Sequence, residues 1–414
     1  MAEKSIPIPE EDLHAMNYLN VQQTYAFDTI FNTTMMNTGG AFFIDGPGGT
    51  GKSFLYKVLL AHIRSKGYIA LIVASSGIAS SGFLGGRTAH SRFKIPIDAG
   101  PKVKCQISFQ RGEADLIRSF KIIIWDEAPM ADKTVVLALD KLLKDLCENT
   151  KPSGGKLAVF GGDFWQVLPV VRRDGRKEQV QVSIVSSTLW KYFIRIELTD
   201  NMRARTDPTF VDFLMRIGNG EEPTNSRGEI EIPEPMLIPY TNLEQSIEAL
   251  INIVYPNMRL FEEDPFEMMK RTILCPKSEY MDNINSRLIQ RISGKEVLYI
   301  SDDQAKKLMD QGDYVDYLNS LEPRGQPQHK LLLKINSPVI LLRNINHLEA
   351  LCNGTRYLPS TTSLHSWTTL CNIVQSEDWK KCQSVDHSPI CNDPGTKYTT
   401  NVIYNEVLLQ AKLN

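Results

Sequence analysis

The stretch Gly40–Ser53, reading GAFFIDGPGGTGKS, constrains this chain more than any other. Ala41 to Ile44 are continuously apolar, as in a strand covered on both faces of a parallel sheet. Gly46-Pro47-Gly48-Gly49-Thr50-Gly51-Lys52-Ser53 then fits G-x-x-x-x-G-K-[ST], the pattern of a phosphate-binding loop. Glycine lets the backbone wrap close to phosphate oxygens with its N–H groups turned inward. The helical run Phe54–Ile63 that follows would aim its positive end at the same anions. On this pattern Gly46, Gly48, Gly49, Thr50 and Gly51 form the cradle for ATP, Lys52 reaches the β- and γ-phosphates, and Ser53 ligates Mg²⁺. Alone, such a loop also occurs as an ordinary glycine-rich turn; the strand before it and the helix after it point to a nucleotide site.

With 414 residues the chain has room for two to three domains. Its hydrophobic fraction of 42% and charged fraction of 23% are those of a globular protein, and no apolar run is long enough to span a bilayer, so a membrane partner has no support. The N-terminal stretch MAEKSIPIPEEDLHAM is acidic, without the apolar core of a signal peptide or the arginine-rich character of a transit peptide, which places the chain by default in the cytosol or nucleus. The seven cysteines include no C-x-x-C pair and fit a reducing compartment; Cys371, Cys382, His387 and Cys391 match no common zinc spacing. A net charge of −2 gives no global electrostatic reason for binding nucleic acid, so any such partner rests on local sites.

Along the chain, Leu19–Phe31 has helical apolar spacing with Asn20 as N-cap. Gln22 and Gln23 open that helix; an amide can read an adenine edge, but by spacing alone they are helix surface. A second strand, Ile69–Ala74, runs into Ser75-Ser76-Gly77 and a small-residue stretch, then into Gly85–Phe93, whose donors, cation and aromatic could hold a sugar-phosphate backbone and stack a base, though by itself it reads as a loop. Within Lys121–Met130 an apolar strand ends in Asp126, suited to Mg²⁺, and Glu127, suited to orienting water. Lys156–Phe160 is a further strand, ending in Gly161-Gly162-Asp163-Phe164-Trp165-Gln166, where Gln166 suits a γ-phosphate contact. All these polar clusters follow strand carboxyl ends, where ligands gather in open parallel sheets. Ile194–Leu198 is a short strand before Thr199-Asp200-Asn201-Met202-Arg203; Arg203 is either a surface arginine or one reaching phosphates at a domain cleft.

The reading that follows is an α/β P-loop NTPase. Residues 1–205 form the ATP-binding domain with the helix that precedes the loop. Residues 206–357 form a partial second α/β domain, with strands expected at Arg271–Pro276 and Pro338–Arg343, a helix around Asn283–Asn285, and a small β insertion at 297–333. Residues 358–414 remain unassigned.

Together these elements resemble the Pif-type DNA helicases, a superfamily-one family that includes the helicase portion of Helitron transposons. The resemblance rests on GPGGTGKS at Gly46–Ser53, ASSGIASSGFLGGRTAHSRFKIP at Ala74–Pro96, WDEAPM from Trp125, GGDFWQVLPV from Gly161, LTDNMR from Leu198, and SPVILLRN and LCNGTRY between Ser337 and Tyr357. It implies two RecA-like domains with an SH3-like insertion, clamping ATP and moving 5′ to 3′ on single-stranded DNA to unwind duplex. It also implies nuclear work in repair, recombination or telomere maintenance. Carried onto this chain, Gln23 recognises adenine, Lys52 and Ser53 serve phosphate and Mg²⁺, Asp126 and Glu127 handle metal and water, Gln166 senses the γ-phosphate, and Arg203 is an arginine finger. Ser75, Thr88, His90 and Phe93 fall in the family's DNA-contacting segment.

The chain departs from the pattern after Tyr357. Neither a T-x-N-K-S-Q-G-Q-T-like segment nor a Y-V-A-L-S-R motif with its second phosphate-reaching arginine is found in Leu358–Asn414. The second domain is therefore expected to be incomplete, with unpaired sheet edges. Two readings stay open: an ATP-dependent helicase, and a nucleotide- and DNA-binding remnant without coupled unwinding. A P-loop small-molecule kinase does not explain Ala74–Pro96 or the second α/β unit.

Overall fold

Six stretches of the first half of the chain lie side by side: β1 Gly40–Asp45, β2 Ala70–Ala74, β3 Arg87–Thr88, β4 Ile122–Asp126, β5 Leu157–Gly162 and β6 Phe193–Glu197. Their order is β3-β2-β4-β5-β1-β6, and every pairing is parallel. These are the strands that the apolar runs predict, with β3 added. The computed structural model describes residues 2–96, 103–110, 112–166, 168–169, 171, 176–203, 205, 207–275, 278–300, 330–341, 355–358, 372–373 and 403–404.

Parallel strands need crossovers, and the helices that make them cover both faces of the sheet. Side chains alternate with period two along a strand. Phe42 and Ile44 of β1 therefore pack with Ile72, Ile124 and Val159 and with residues of helices Val21–Met36 and Lys52–Ser65. Phe43 faces the other way, with Val73, Ile123, Trp125 and Phe160 and with residues of helix Lys133–Cys147. Two covered faces explain why β1, β2 and β4 carry almost no polar residue before their last position. The carboxyl ends of β1, β4 and β5 open on one edge of the sheet, and only β5 separates β1 from β4.

The segment after β2 is more ordered than its loop-like sequence predicts. It holds β3 and two one-turn helices, Gly77–Ser81 and Ala89–Phe93, capped by the side chains of Ser76 and Thr88. Five residues are too few for a helical period to show in sequence.

The chain divides into two compact units, Met1–Pro223 and Thr224–Asn414. The boundary expected after residue 205 stands ahead of helix Pro208–Asn219, which belongs to the first unit.

In the second unit, helices Leu243–Val254 and Ser278–Arg291 bury Ile247, Ile251, Ile284 and Leu288 together. Arg287 pairs with Glu244 and Glu248, and Arg291 with Glu248. Strands β7 Val297–Ile300 and β8 Lys330–Leu333 pair antiparallel; they are the ends of the expected β insertion, whose interior, 301–329, lies outside the described residues. Strand β9 Val339–Leu341 pairs antiparallel with β10 Arg356–Leu358 and with β12 Ile403–Tyr404, and β11 Asn372–Ile373 joins β10. The pairings described in this unit are thus antiparallel.

The strand expected at Arg271–Pro276 does not form over 271–275, although Thr272 and Ile273 are buried. A strand needs a ladder partner, and among the described residues 271–275 enter no ladder. Residues 352–354 lie outside the described residues, as does most of 358–414, including Cys371, Cys382, His387 and Cys391. Among the described residues no helix is long and apolar enough to cross a membrane.

Candidate nucleotide site

The phosphate loop leaves β1 and enters helix Lys52–Ser65 through two glycines that the geometry requires. Gly49 has φ +94°, and a Cβ there would lie 2.4 Å from Asn201 Oδ1; Gly51 has φ +81°, and a Cβ there would lie 2.3 Å from Gln23 Nε2. Both neighbours are braces. Asn201 Nδ2 donates to the Gly48 carbonyl at 3.0 Å, and the Met202 N–H donates to the Gly49 carbonyl at 2.9 Å. Gln23, 2% exposed, donates from Nε2 to the Thr50 carbonyl at 3.0 Å, while its Oε1 accepts the Asn20 N–H at 3.0 Å in a capping box. Buried and engaged at both ends, the Gln23 amide braces the loop; the adenine contact expected of it would require it to exchange these bonds. Its half-buried neighbour Gln22 is tied to Thr199, accepting its N–H and donating to its hydroxyl, each at 2.8 Å.

Lys52 is 7% exposed and donates to the carbonyls of Gly46 at 2.6 Å and Pro47 at 3.3 Å, at the mouth of the loop. Arg203 is exposed; its backbone N–H donates to Asn201 Oδ1 at 3.1 Å, and its Cβ lies 3.1 Å from where a Cβ of Gly49 would stand. The segment after β6 is thus laid directly on the loop, so Arg203 is a near neighbour of Lys52's cradle within the same unit.

Facing Lys52 is a concentration of carboxylates at the strand ends. Asp126, 4% exposed, is pushed up to about 6, chiefly by burial and next by the charge of Glu127; the Glu127 N–H, Lys52 and a hydrogen bond from Ser53 pull the other way. Glu127 is also raised by burial, with Lys52 opposing and Asp163 adding to the rise. Asp45, at the end of β1, is raised by burial and then by Glu197. Among the described residues, Glu127 Oε2 and Asp45 Oδ1 are buried with no hydrogen-bond partner. Charge is being held here against its preference, which is the condition a cation relieves. No group of three or more His, Cys, Asp or Glu side chains among the described residues makes a metal cage. A P-loop magnesium asks less of the protein, one hydroxyl and one carboxylate beside phosphate oxygens and waters, and Ser53 with Asp126 fits that donor set.

Asp163 was not among the residues singled out from sequence, yet it organises the next strand end. Its Oδ1 accepts the Trp165 N–H at 2.9 Å and its Oδ2 accepts from Gln166 Nε2 at 3.1 Å. A Cβ on Gly48 would lie 3.8 Å from Gln166 Nε2, so the expected γ-phosphate contact stands beside the loop. Beneath the site the Tyr56 hydroxyl is buried without a partner and would sit 1.7 Å from a Cβ on Gly161. Its pKa is raised well above the ordinary value by burial and by Asp126 and Glu127.

The four residues assigned to DNA contact do not share one surface. Phe93 is 0% exposed and packs in the core with Val73 and Trp125, so base stacking by Phe93 is corrected to core packing. Ser75 points at the end of β4: its hydroxyl donates to the Glu127 carbonyl at 2.6 Å and accepts the Trp125 indole N–H at 3.0 Å. It is a brace too; a DNA contact through its hydroxyl would require it to give up these bonds. Thr88 Oγ1 caps the last helix of the segment through the Ser91 N–H at 3.3 Å. His90 is half-buried, and burial lowers its pKa. Arg87, the cation at the start of that stretch, is exposed.

A family model described as PIF1-like helicase matches residues 18–228, and one described as DNA helicase Pif1, 2B domain, matches residues 316–358. The ATP-dependent DNA helicase PIF1 of Candida albicans is 27% identical over 367 residues, covering 85% of this chain and 36% of that protein. Its namesake from Danio rerio is 24% identical over 366 residues, covering 86% of this chain and 50% of that protein. The chain therefore spans half or less of the length of these two relatives. Among solved structures, Pif1 helicase from Candida albicans matches with a TM-score of 0.53 at 24% identity, over 83% of this chain and 68% of that one. Bacteroides Pif1 bound to ssDNA matches with a TM-score of 0.55 at 20% identity, over 82% and 69%. These likenesses are likenesses of fold.

Proposed function

This chain belongs to the PIF1-like helicase family, and from that premise we propose that it hydrolyses ATP and uses the hydrolysis to move 5′ to 3′ along single-stranded DNA and open duplex. The observation that carries the reading is the meeting of four segments at one sheet edge: the loop with Lys52, the Asp126-Glu127 pair, Gln166 on Asp163, and the Arg203 segment bonded to the loop backbone.

In this reading the triphosphate draws Lys52 from the Gly46 and Pro47 carbonyls, because charged phosphate oxygens are the stronger acceptors. Mg²⁺ would be held by Ser53 and Asp126 and would neutralise charge on the phosphates. Glu127, with Oε2 unpartnered, orients the attacking water; Gln166 turns from Asp163 to the γ-phosphate; and Arg203 stabilises charge on the transferring group. Single-stranded DNA is the partner that relatives in the family have been solved with, and here the segment from Ser76 to Arg92, with Arg87 exposed, is the surface proposed for it. The proposed setting is nuclear DNA repair, recombination or telomere maintenance.

The test is ATP hydrolysis with and without oligo(dT), using Lys52→Ala as the blank, followed by strand separation on a duplex with a 5′ tail. Stimulated hydrolysis with unwinding is the expected result. Stimulated hydrolysis without unwinding would leave a DNA-dependent ATPase, and no stimulation would refute translocation.

A further inference from the structure

Ser75 is the residue on which the three residues around the catalytic carboxylates converge. Its N–H donates to the Asp126 carbonyl at 3.2 Å, and its hydroxyl donates to the Glu127 carbonyl at 2.6 Å while accepting the Trp125 indole N–H at 3.0 Å. Trp125 is 1% exposed and packed in the core, so it offers Ser75 a fixed point. Glu127 needs one. Its backbone is left-handed, at φ +53° and ψ +38°, which an L side chain adopts only under constraint. Its carboxylate oxygen Oε2 has no partner among the described residues, so the aim of that carboxylate is set by the backbone beneath it.

Ser75 is also the first residue of the segment that follows β2. Ser76 caps helix Gly77–Ser81, its Oγ accepting the Ala79 N–H at 3.3 Å, so a displacement of that helix pulls on the adjacent Ser75. We infer that Ser75 is a positioning residue for Glu127, and that its hydroxyl makes the aim of Glu127 answer to whatever occupies the segment Ser76–Arg92. The inference rests on the hydrolytic reading of Glu127 given above, and it names the physical link by which DNA on that segment would raise hydrolysis.

An alanine at 75 keeps the N–H bond to Asp126 and deletes only the two hydroxyl bonds, so the variant is selective. In the full chain, Ser75→Ala is expected to lower oligo(dT)-stimulated kcat about tenfold, while affinities for oligo(dT) and for a fluorescent ATP analogue stay within about twofold. Ser75→Thr, which keeps the hydroxyl, is expected to restore most of the loss. A spectroscopic arm needs no turnover: among the five tryptophans, the ¹⁵N-indole resonance of Trp125, assigned with Trp125→Phe, is expected to move when oligo(dT) binds.

Wild-type kcat in Ser75→Ala would overturn the inference. So would a parallel loss of oligo(dT) affinity, which would make Ser75 a contact for the strand itself. Oligo(dT) binding that leaves the Trp125 resonance unmoved in the wild-type chain would also overturn it. If the wild-type chain binds oligo(dT) without hydrolysing ATP, the functional reading fails and the resonance alone decides the link, a shift supporting it and its absence refuting it.

Discussion

Replacing Asp126 with asparagine should make the empty protein more stable while silencing it. Asp126 is 4% exposed, and burial with the charge of Glu127 lifts its pKa from an ordinary 3.8 to about 6. The folded chain thus holds a proton on this group, between those two values, that the unfolded chain has given up. Stability therefore falls as pH rises through that window, and the deficit is complete above about pH 6. Roughly two pKa units correspond to about 3 kcal/mol. Asparagine removes the charge, and its oxygen can still accept the Glu127 N–H that Asp126 Oδ1 now accepts at 3.0 Å. Asp126→Asn is expected to melt roughly 6–12 °C above wild type at pH 8 without nucleotide, given about 2–4 °C per kcal/mol for a unit of this size. The gain should fall to about half at pH 5. Adding Mg²⁺ with a non-hydrolysable ATP analogue should narrow the gap by stabilising the wild type. Thermal melts from pH 5 to 8 read all three. A variant that melts at or below wild type at pH 8, or a gain that does not change with pH, would refute the reasoning.

Other perturbations separate bracing from contact. Phe93→Ala should cost about 3–5 kcal/mol of stability in denaturant melts, as a core deletion does, and leave the oligo(dT) affinity of the folded protein unchanged; a selective loss of affinity would return Phe93 to the DNA surface. Gln23→Ala leaves the Thr50 carbonyl unpaired in a buried place, so ATP and GTP should both bind roughly tenfold more weakly; relaxed preference for ATP over GTP would show instead that the amide reads the base. Arg203→Ala should leave nucleotide affinity nearly intact while hydrolysis drops by about 10³ or more, the scale of an arginine finger; weakened binding with unchanged turnover would exclude that role. Gly161→Ala drives a methyl to within 1.7 Å of the Tyr56 hydroxyl and should destabilise the fold sharply in melts, with Tyr56→Phe recovering part of the loss.

The fold of the first unit was legible because its determinants are local. An apolar run of four or five residues flanked by polar ones is a buried parallel strand whatever else surrounds it, and β1, β2, β4 and β5 all announce themselves in this way. The loop itself was legible for a similar reason, since Gly49 and Gly51 are required by backbone angles that the motif encodes. The second unit was harder to read because a strand there depends on a distant partner. Val339–Leu341 forms its ladders with residues 356–357 and 403–404, whereas the equally apolar run at Arg271 finds no ladder among the described residues.

The site residues divide along the same physical line. Lys52 opens the helix after the loop, Asp126 is the last residue of β4 and Glu127 the next, positions that strand and loop spacing alone determine. Gln23, Ser75 and Phe93 were assigned to ligands by the family resemblance, whereas spacing alone left Gln23 on a helix surface and the stretch to Phe93 as a loop. What a side chain near a site does depends on which partner it finds, and that is decided across the fold: Gln23 reaches Thr50, 27 residues away, and Ser75 reaches Glu127, 52 residues away. A phosphate loop has to hold its strained backbone and its buried charges ready before any ligand arrives, so it needs polar braces beside its polar contacts. The two are alike in composition, and burial with both hydrogen-bonding ends engaged is what marks the brace.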